Sequence, residues 1–147
     1  NHNCTPSLIT RPEWFKVSLM ENIQLGRKHI SPREIHDISH AIGLDAEVAS
    51  LSAGLNTELD ERGYPLTQNQ LWLLSLARGL VGNPRMVMVA NLFDDLDEAQ
   101  LLPVLSYLTD PNQTFSLIVT TSKEHLAERF ESLGHVIRIN SLPRSAH

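Results

Sequence analysis

The sequence lacks several features that would place it in an extracellular or membrane-spanning class. It contains a single cysteine, Cys4, so no disulfide can form within the chain, and this fits a reducing compartment. No apolar run approaches the roughly 20 residues that a bilayer-spanning helix needs, and the N-terminus shows no signal-peptide pattern. Any membrane association is therefore expected to come through a partner or through another part of the polypeptide.

The chain also lacks an excess of positive charge. It contains 12 Lys and Arg residues and 17 Asp and Glu residues, which gives a net charge of -5. A protein that binds the phosphate backbone of nucleic acids needs a basic face, so no nucleic-acid partner is expected. The 147 residues, 41% of them hydrophobic, correspond to one domain with a sizeable core.

Periodicity and capping signals predict a mainly helical first half. The first dozen residues, which end at Arg11-Pro12, are polar and predict an extended or disordered lead-in. The next predicted elements are a short helix (Ser18 to Gln24), a helix with an N-cap serine, a first-turn proline and a capping glutamate (Ser31 to Gly43), one or two further turns (Asp45 to Leu51) and a loop (Ser52 to Pro65).

The second half alternates helices with short apolar strands. The predicted order is a helix buried on nearly every side (Thr67 to Val81), a strand (Met86 to Ala90), a helix (Asp97 to Leu108), a strand (Phe115 to Thr120), a helix (Lys123 to Leu133) and a strand (His135 to Ile139). Continuous apolar strands of this kind are expected to be parallel and covered on both faces. A right-handed βαβαβ unit after residue 85 predicts an α/β fold.

A series of short motifs runs through the chain in a fixed order. They are Phe15 to Gly26, Gly43-Leu44-Asp45, Gly54 to Leu59, the LTQNQ turn at Leu66 to Gln70, Ala77 to Leu80, Asn83-Pro84, Met86 to Val89, and Leu96-Asp97. Together they resemble the second half of an exporter-type ABC transporter nucleotide-binding domain, over about Ile9 to Ile139. The resemblance implies one partial domain over 1–147. It would comprise a helical subdomain (about 18–65), a signature helix with half of a RecA-like, P-loop NTPase core (66–140) and a tail (141–147).

Most positions that contact nucleotide in this family are substituted. The signature turn has two glycines where this sequence has Gln68 and Asn69, whose side chains would fill the space that the γ-phosphate needs. The strand that follows ends in Asp-Glu in the family, but here in Ala90-Asn91, which offer no magnesium ligand or base of that kind.

Three further family features are missing from the sequence. It contains no Gly-Lys pair and hence no phosphate-cradling loop of the G-x-x-x-x-G-K-S/T type. Thr10 stands where the family has a metal-sensing glutamine, and Thr121 where it has a histidine. Asp94 and Asp95 lie roughly 10 Å farther along an extended chain than the lost acids, too far to replace them.

Three retained positions are the candidate binding residues. They are Thr67 and Gln70 of the signature turn and Asp97, in the loop that faces the partner subunit in this family. The resemblance implies that they are vestigial nucleotide contacts. Asp97 is equally suited to cap the helix that follows it, and for Thr67 a plain N-cap is the favoured interpretation. No catalytic residue, metal or cofactor is expected, although the family uses ATP and Mg²⁺.

The resemblance implies a place at the cytoplasmic face of a membrane, in a transporter. We expect a degenerate domain with a structural or regulatory role, in dimerisation or in coupling to a membrane domain through the surface near Trp14 and Phe15. Its partners would be a transmembrane domain or subunit and a second nucleotide-binding domain, in a homodimer or heterodimer. Whether the chain is an enzyme stays open, with the substitutions favouring the absence of hydrolysis.

Two other functions stay open at this point. One is a free-standing protein-interaction module that keeps the scaffold without the transporter. The other is metal-dependent hydrolysis at His36 and His40, which share the i, i+4 spacing of the H-E-x-x-H pattern, with Asp37 in place of its glutamate.

Overall fold

The computed structural model describes residues 6–131, which form helices around a small parallel sheet. The helices are α1 (Leu19–Gln24), α2 (Pro32–Ala41), α3 (Leu44–Glu47), α4 (Gln68–Leu80), α5 (Leu92–Asp95), α6 (Glu98–Leu108) and α7 (Glu124–Glu131), with a 3₁₀ turn at Gly54–Asn56. The strands are β1 (Ser7–Ile9), β2 (Met86–Ala90) and β3 (Ser116–Thr120). The predicted strand at His135 to Ile139, the end of the last predicted helix and the 141–147 tail lie outside the described residues.

The short helices of the first half begin where their capping signals lie. Ser18 and Glu21 form a reciprocal capping box at the start of α1, and Ser31 and Glu34 form another at the start of α2. Gly43 takes a φ of 84° directly after the end of α2, a conformation that a side chain would strain. These starts and stops confirm the predicted elements of this region to within a few residues.

Helix α4 is the centre of the core. Eight of its residues are buried (Leu71, Trp72, Leu73, Leu74, Ser75, Leu76, Ala77 and Leu80), which confirms the prediction of a helix enclosed on most sides. It contacts α1, α2 and α3 on the helical side and β1 on the sheet side. The contact with β1 is close because Gly79 faces Ile9, where an added Cβ would lie 2.7 Å from the Ile9 Cδ1 atom.

The three strands are parallel and lie in the order β1-β2-β3. The extended alternative of the lead-in prediction is confirmed for residues 7–9, but they also form a strand that was not predicted, whose register pairs Ser7 with Val87 and Ile9 with Val89. Such a short segment gives no periodic signal, and its strand structure depends on pairing with β2. The described sheet thus begins with β1, well before the βαβαβ unit predicted after residue 85.

One face of the sheet is covered, and the other is largely bare among the described residues. Ile9, Val87 and Val89 are buried, whereas Leu8 is 62% exposed and Ile118 is 43% exposed. Right-handed crossovers in a sheet whose strands follow chain order place both connections on the same face. The prediction that the strands are covered on both faces was therefore wrong for this part of the chain.

The architecture is α/β, with an open three-stranded parallel sheet flanked by helices. It is consistent with part of a RecA-like fold, as the sequence predicted. The division into a helical subdomain of about 18–65 and a half-core of 66–140 stays a prediction.

Candidate functional site

The N-terminus of α4 is formed by the residues of the predicted signature turn. Thr67 is the N-cap: its Oγ1 accepts a hydrogen bond of 3.3 Å from the Gln70 N–H. The Gln70 Oε1 accepts one of 3.0 Å from the Thr67 N–H, which completes a capping box. The capping role of Thr67 is thereby confirmed, and the proposed vestigial contact with nucleotide stays a prediction.

The N-terminus of α6 is closed in the same way. The Asp97 Oδ1 accepts from the Gln100 N–H at 2.9 Å, and the Gln100 Oε1 accepts from the Asp97 N–H at 3.2 Å. Asp97 is therefore a helix cap, one of the two roles expected of it. The D-x-x-Q spacing of this capping box is readable in the sequence, as is the T-x-x-Q spacing at Thr67 and Gln70.

A polar bridge, formed by Glu47, Asn69, Gln70 and Gln100, joins the two helix N-termini. The Glu47 Oε1 accepts from Gln100 Nε2 at 2.9 Å and from Gln70 Nε2 at 3.5 Å, and Asn69 Nδ2 donates to the Gln100 Oε1 at 3.0 Å. The structure thus brings Thr67, Gln70 and Asp97, the three predicted site residues, into one network. Sequence reasoning missed Glu47, because no local pattern indicates that α3 lies against both capping boxes.

The polar bridge surrounds the predicted signature turn with polar and acidic side chains. Asn69 stands at a glycine position of the family and directs its amide to Gln100 instead of leaving a gap. Glu47 and Asp97 place two carboxylates beside the helix N-termini, whose dipoles would otherwise attract an anion. This geometry is unfavourable to a phosphate group.

The C-terminal edge of the sheet is the other place where family chemistry would be expected. Ala90 ends β2, and Asn91 follows in the left-handed region, with a φ of 59° and its N–H bonded to the Thr120 carbonyl at 2.9 Å. Asp94 accepts hydrogen bonds from the hydroxyls of Thr121, at 2.5 Å, and Ser122, at 2.6 Å. The loops that follow β2 and β3 are thereby connected to each other.

The Asp94 carboxylate is held in its charged form. Partial burial alone would raise the pKa of Asp94, but hydrogen bonds from Ser122 and Thr121 and the nearby Lys123 ammonium outweigh it. The pKa of Asp94 is therefore below its ordinary value. A carboxylate with a lowered pKa is a weak base, so Asp94 is poorly suited to activate a water molecule.

Hydrogen bonds to neighbouring parts of the fold hold the segment of Trp14 and Phe15 in place. The buried Asn22 amide binds both backbone groups of Phe15, accepting from its N–H at 2.7 Å and donating to its carbonyl at 3.0 Å. The Arg78 guanidinium lies 5.7 Å from the centre of the Phe15 ring, and Trp14 Nε1 donates to the Asp60 carbonyl at 3.3 Å. The Phe15 ring is nevertheless 54% exposed.

A shallow depression of about 620 Å³ lies nearby, bounded by Ser18, Glu21, Leu51, Thr57, Tyr64 and Pro65 among others. Tyr64 is 72% exposed at its rim. We call Trp14, Phe15 and Tyr64 the aromatic surface. The Phe15 and Tyr64 rings are exposed, while Trp14 is partly buried against the core, and exposed aromatic rings beside a depression are typical of a protein–protein contact.

Within the described part of the chain, the histidine pair of α2 is not part of a larger ligand group. His36 and His40 are exposed, and His40 Nδ1 lies 2.9 Å from the Asp45 Oδ2 atom. Residues 6–131 contain no cluster of three or more His, Cys, Asp or Glu side chains that could hold a metal ion. Within the same residues, no helix is both long and apolar enough to cross a membrane.

An open three-stranded parallel sheet flanked by helices, with a helical segment between β1 and β2, is consistent with part of a RecA-like fold. No family model matches the sequence. The chain is 35% identical over 83 residues to the uncharacterized ABC transporter ATP-binding protein YknV of Bacillus subtilis, covering 56% of this chain and 14% of the relative. It is 35% identical over 91 residues to the mitochondrial iron-sulfur clusters transporter ATM1 of Yarrowia lipolytica, covering 60% of this chain and 13% of that protein.

A longer alignment covers most of the chain. The putative export ATP-binding/permease protein RC1073 of Rickettsia conorii is 25% identical over 129 residues, covering 86% of this chain and 21% of the relative. The chain therefore spans no more than about a fifth of the length of these relatives. Its homologues are ABC transporter ATP-binding and exporter proteins, and it is consistent with part of an ABC nucleotide-binding domain, which confirms the predicted resemblance.

Proposed function

We propose that this chain is a hydrolysis-deficient ABC domain of an exporter-type membrane transporter, in which it has a structural or regulatory role. It would dimerise with a second nucleotide-binding domain, couple to a transmembrane domain and lie at the cytoplasmic face of the membrane. The homologues named as ABC transporter and exporter proteins support the transporter context. The polar bridge is the observation that carries the loss of activity.

The polar bridge supports the proposal because it places bonded side chains and a carboxylate at the helix N-terminus that a phosphate would approach. The side chains of Asn69 and Gln70 are both bonded within the protein, and Glu47 adds a negative charge to the same place. An incoming triphosphate would have to break these bonds and approach carboxylates. These contacts disfavour a strong anion site at the start of α4.

The C-terminal edge of the sheet supports the same conclusion independently. Ala90 and Asn91 provide no carboxylate where the family has two, and Thr121 provides no imidazole. Asp94, the nearest acid, is bonded to the loop after β3 and has a lowered pKa. Without a metal ligand or a general base at this edge, hydrolysis has no catalytic group to act through.

The aromatic surface supports a role in coupling. Phe15 projects into solvent while its backbone is fixed by Asn22, and so its ring is presented without a large loss of conformational entropy on binding. The Arg78 guanidinium beneath the ring adds a cation–π contact that holds it in place. A cytoplasmic segment of a membrane domain is the partner that we propose for this surface.

The loss of activity is tested by measuring ATP binding and turnover with the 147-residue chain and its Asn91→Ala variant. We expect no binding at micromolar ATP, and no difference in phosphate release between the two proteins. Binding at micromolar ATP, with turnover above that of Asn91→Ala, would refute the proposal. Asn91 is the right control because it occupies the position of the family's catalytic acid.

The coupling role is tested by site-directed cross-linking in native membranes. Cys4 is the sole cysteine, so a Cys4→Ser background allows a photoreactive probe at Phe15→Cys and a control probe at His36→Cys on α2. We expect the probe at Phe15→Cys, but not the control probe at His36→Cys, to form a cross-linked product with an integral membrane protein. Only detergent should release this product from the membrane. A product with a soluble protein instead would favour the free-standing interaction module.

A further inference from the structure

The loops that follow β2 and β3 meet at one carboxylate. We propose that Asp94, Thr121, Ser122 and Lys123 form a clasp that locks the C-terminal edge of the sheet in a closed arrangement. In open α/β sheets ligands bind beyond the carboxyl ends of the strands, and the clasp blocks this end by joining the segments that follow β2 and β3. The proposal rests on the proposed function, since an edge that takes no nucleotide has no need to open.

The clasp is formed by bonds in both directions. The Asp94 Oδ1 accepts from the Thr121 hydroxyl at 2.5 Å, and its Oδ2 accepts from the Ser122 hydroxyl at 2.6 Å and the Ser122 N–H at 3.2 Å. Lys123 Nζ returns a hydrogen bond of 2.6 Å to the Asp94 backbone carbonyl. Asp94 of α5 is thus bonded to three consecutive residues, 121–123, of the segment that follows β3.

The chemistry of these bonds favours a stable closed state. Bonds from hydroxyl and amide donors to an ionised carboxylate are shorter and about twice as strong as bonds between neutral groups. Both Asp94 oxygens are occupied by protein donors, which leaves the carboxylate little capacity to coordinate a metal ion. The clasp therefore engages Asp94, the first acidic residue in sequence after the substituted positions Ala90 and Asn91.

The rest of α5 is anchored from the opposite side. Trp72, buried in α4, donates from Nε1 to the Asp95 Oδ2 at 3.1 Å. Adjacent carboxylates of one short helix are thus bound to two different parts of the fold, Asp94 to the β3 loop and Asp95 to the core helix. The segment cannot swing away from the sheet edge without breaking one of these sets of bonds.

The clasp is tested by hydrogen–deuterium exchange on the full 147-residue chain. In Asp94→Ala we expect the amides of residues 90–96 and 120–124 to exchange at least about tenfold faster than in the unchanged protein, while those of α2 keep their rates. The matched control is Asp37→Ala, which removes an exposed carboxylate from α2 and should leave residues 90–96 and 120–124 unaffected. Unchanged exchange at both loops in folded Asp94→Ala would overturn the proposal.

A second variant covers the case in which Asp94→Ala fails to fold. The double variant Thr121→Val and Ser122→Ala keeps Asp94 but removes both hydroxyl donors, and it should accelerate exchange in the same two segments. If it leaves both segments as protected as in the unchanged protein, the clasp is refuted. Exchange reports on the loops alone, so ATP turnover by the unchanged chain would refute the proposed function without altering this result.

Discussion

Replacing Asn22 with alanine is expected to destabilise the chain more than any other single change of a polar residue in α1. Asn22 is fully buried, and its side chain takes part in five hydrogen bonds, to Phe15 (two), Val17, Ser18 and Arg78. Two of them fix the backbone of Phe15. The substitution should therefore loosen the aromatic surface as well as the core.

The magnitude follows from the geometry of these bonds. Three are short: 2.7 Å from the Phe15 N–H, 3.0 Å to the Phe15 carbonyl and 2.9 Å to the Ser18 carbonyl. At about 1 kcal/mol net for each, Asn22→Ala should lower the free energy of unfolding by about 3 kcal/mol. The Asn22→Asp variant should be at least as damaging at pH 7, because a carboxylate oxygen would then face three carbonyl oxygens.

Urea unfolding followed by circular dichroism provides the measurement. Asn112→Ala is the matched control, because Asn112 is exposed, and it should change the unfolding free energy by less than about 0.5 kcal/mol. Asn22→Asp should regain stability as the pH falls and the new carboxyl group becomes protonated. A loss below about 1 kcal/mol in Asn22→Ala would show that these bonds do not hold the segment as argued.

Three further outcomes test other parts of the structure. The pKa of Asp94 is lowered in the folded state, so its contribution to stability should be complete above its unfolded pKa of about 4 and lost as the pH falls through the folded value. When thermal unfolding is measured at a series of acidic pH values, Asp94→Asn should therefore lose less stability on acidification than the unchanged protein. Leu74→Ala should lower the unfolding free energy by about 2–5 kcal/mol in urea titration, whereas Gln68→Ala, on the exposed first turn, should stay within about 0.5 kcal/mol. Gly79→Ala should cost about 1–3 kcal/mol in the same assay, and combining it with Ile9→Val should cost less than the two changes separately.

Elements whose information is local were predictable from the sequence. Ser31, Pro32 and Glu34 specify a helix start within four residues, and the structure has that capping box. The thirteen residues of α4 predicted a buried helix because apolar side chains occur on most of its sides. The family motifs added the order of the elements, which propensity alone does not fix.

Features that depend on distant partners were not predictable in this way. The β1 strand is three residues long, and its structure depends on β2, far along the chain. Glu47 joins the polar bridge only because α3 packs beside α4, and no spacing in the sequence indicates this contact. The sequence places Asp94 only by its distance from the substituted acids, and its contacts become visible only with Thr121 and Ser122 beside it.

The pairing of β1 with β2 has a consequence for the order in which the chain folds. Ser7 and Val87 are partners about 80 residues apart in sequence, so closing the loop between them carries a large entropy loss before any contact repays it. Helices α1, α2 and α4 contact one another across shorter separations, of about 50 residues or fewer between element centres, and α4 provides the surface on which Ile9 packs. We therefore expect strand β1 to dock on a helical layer that has already formed, in a late step that completes the described sheet.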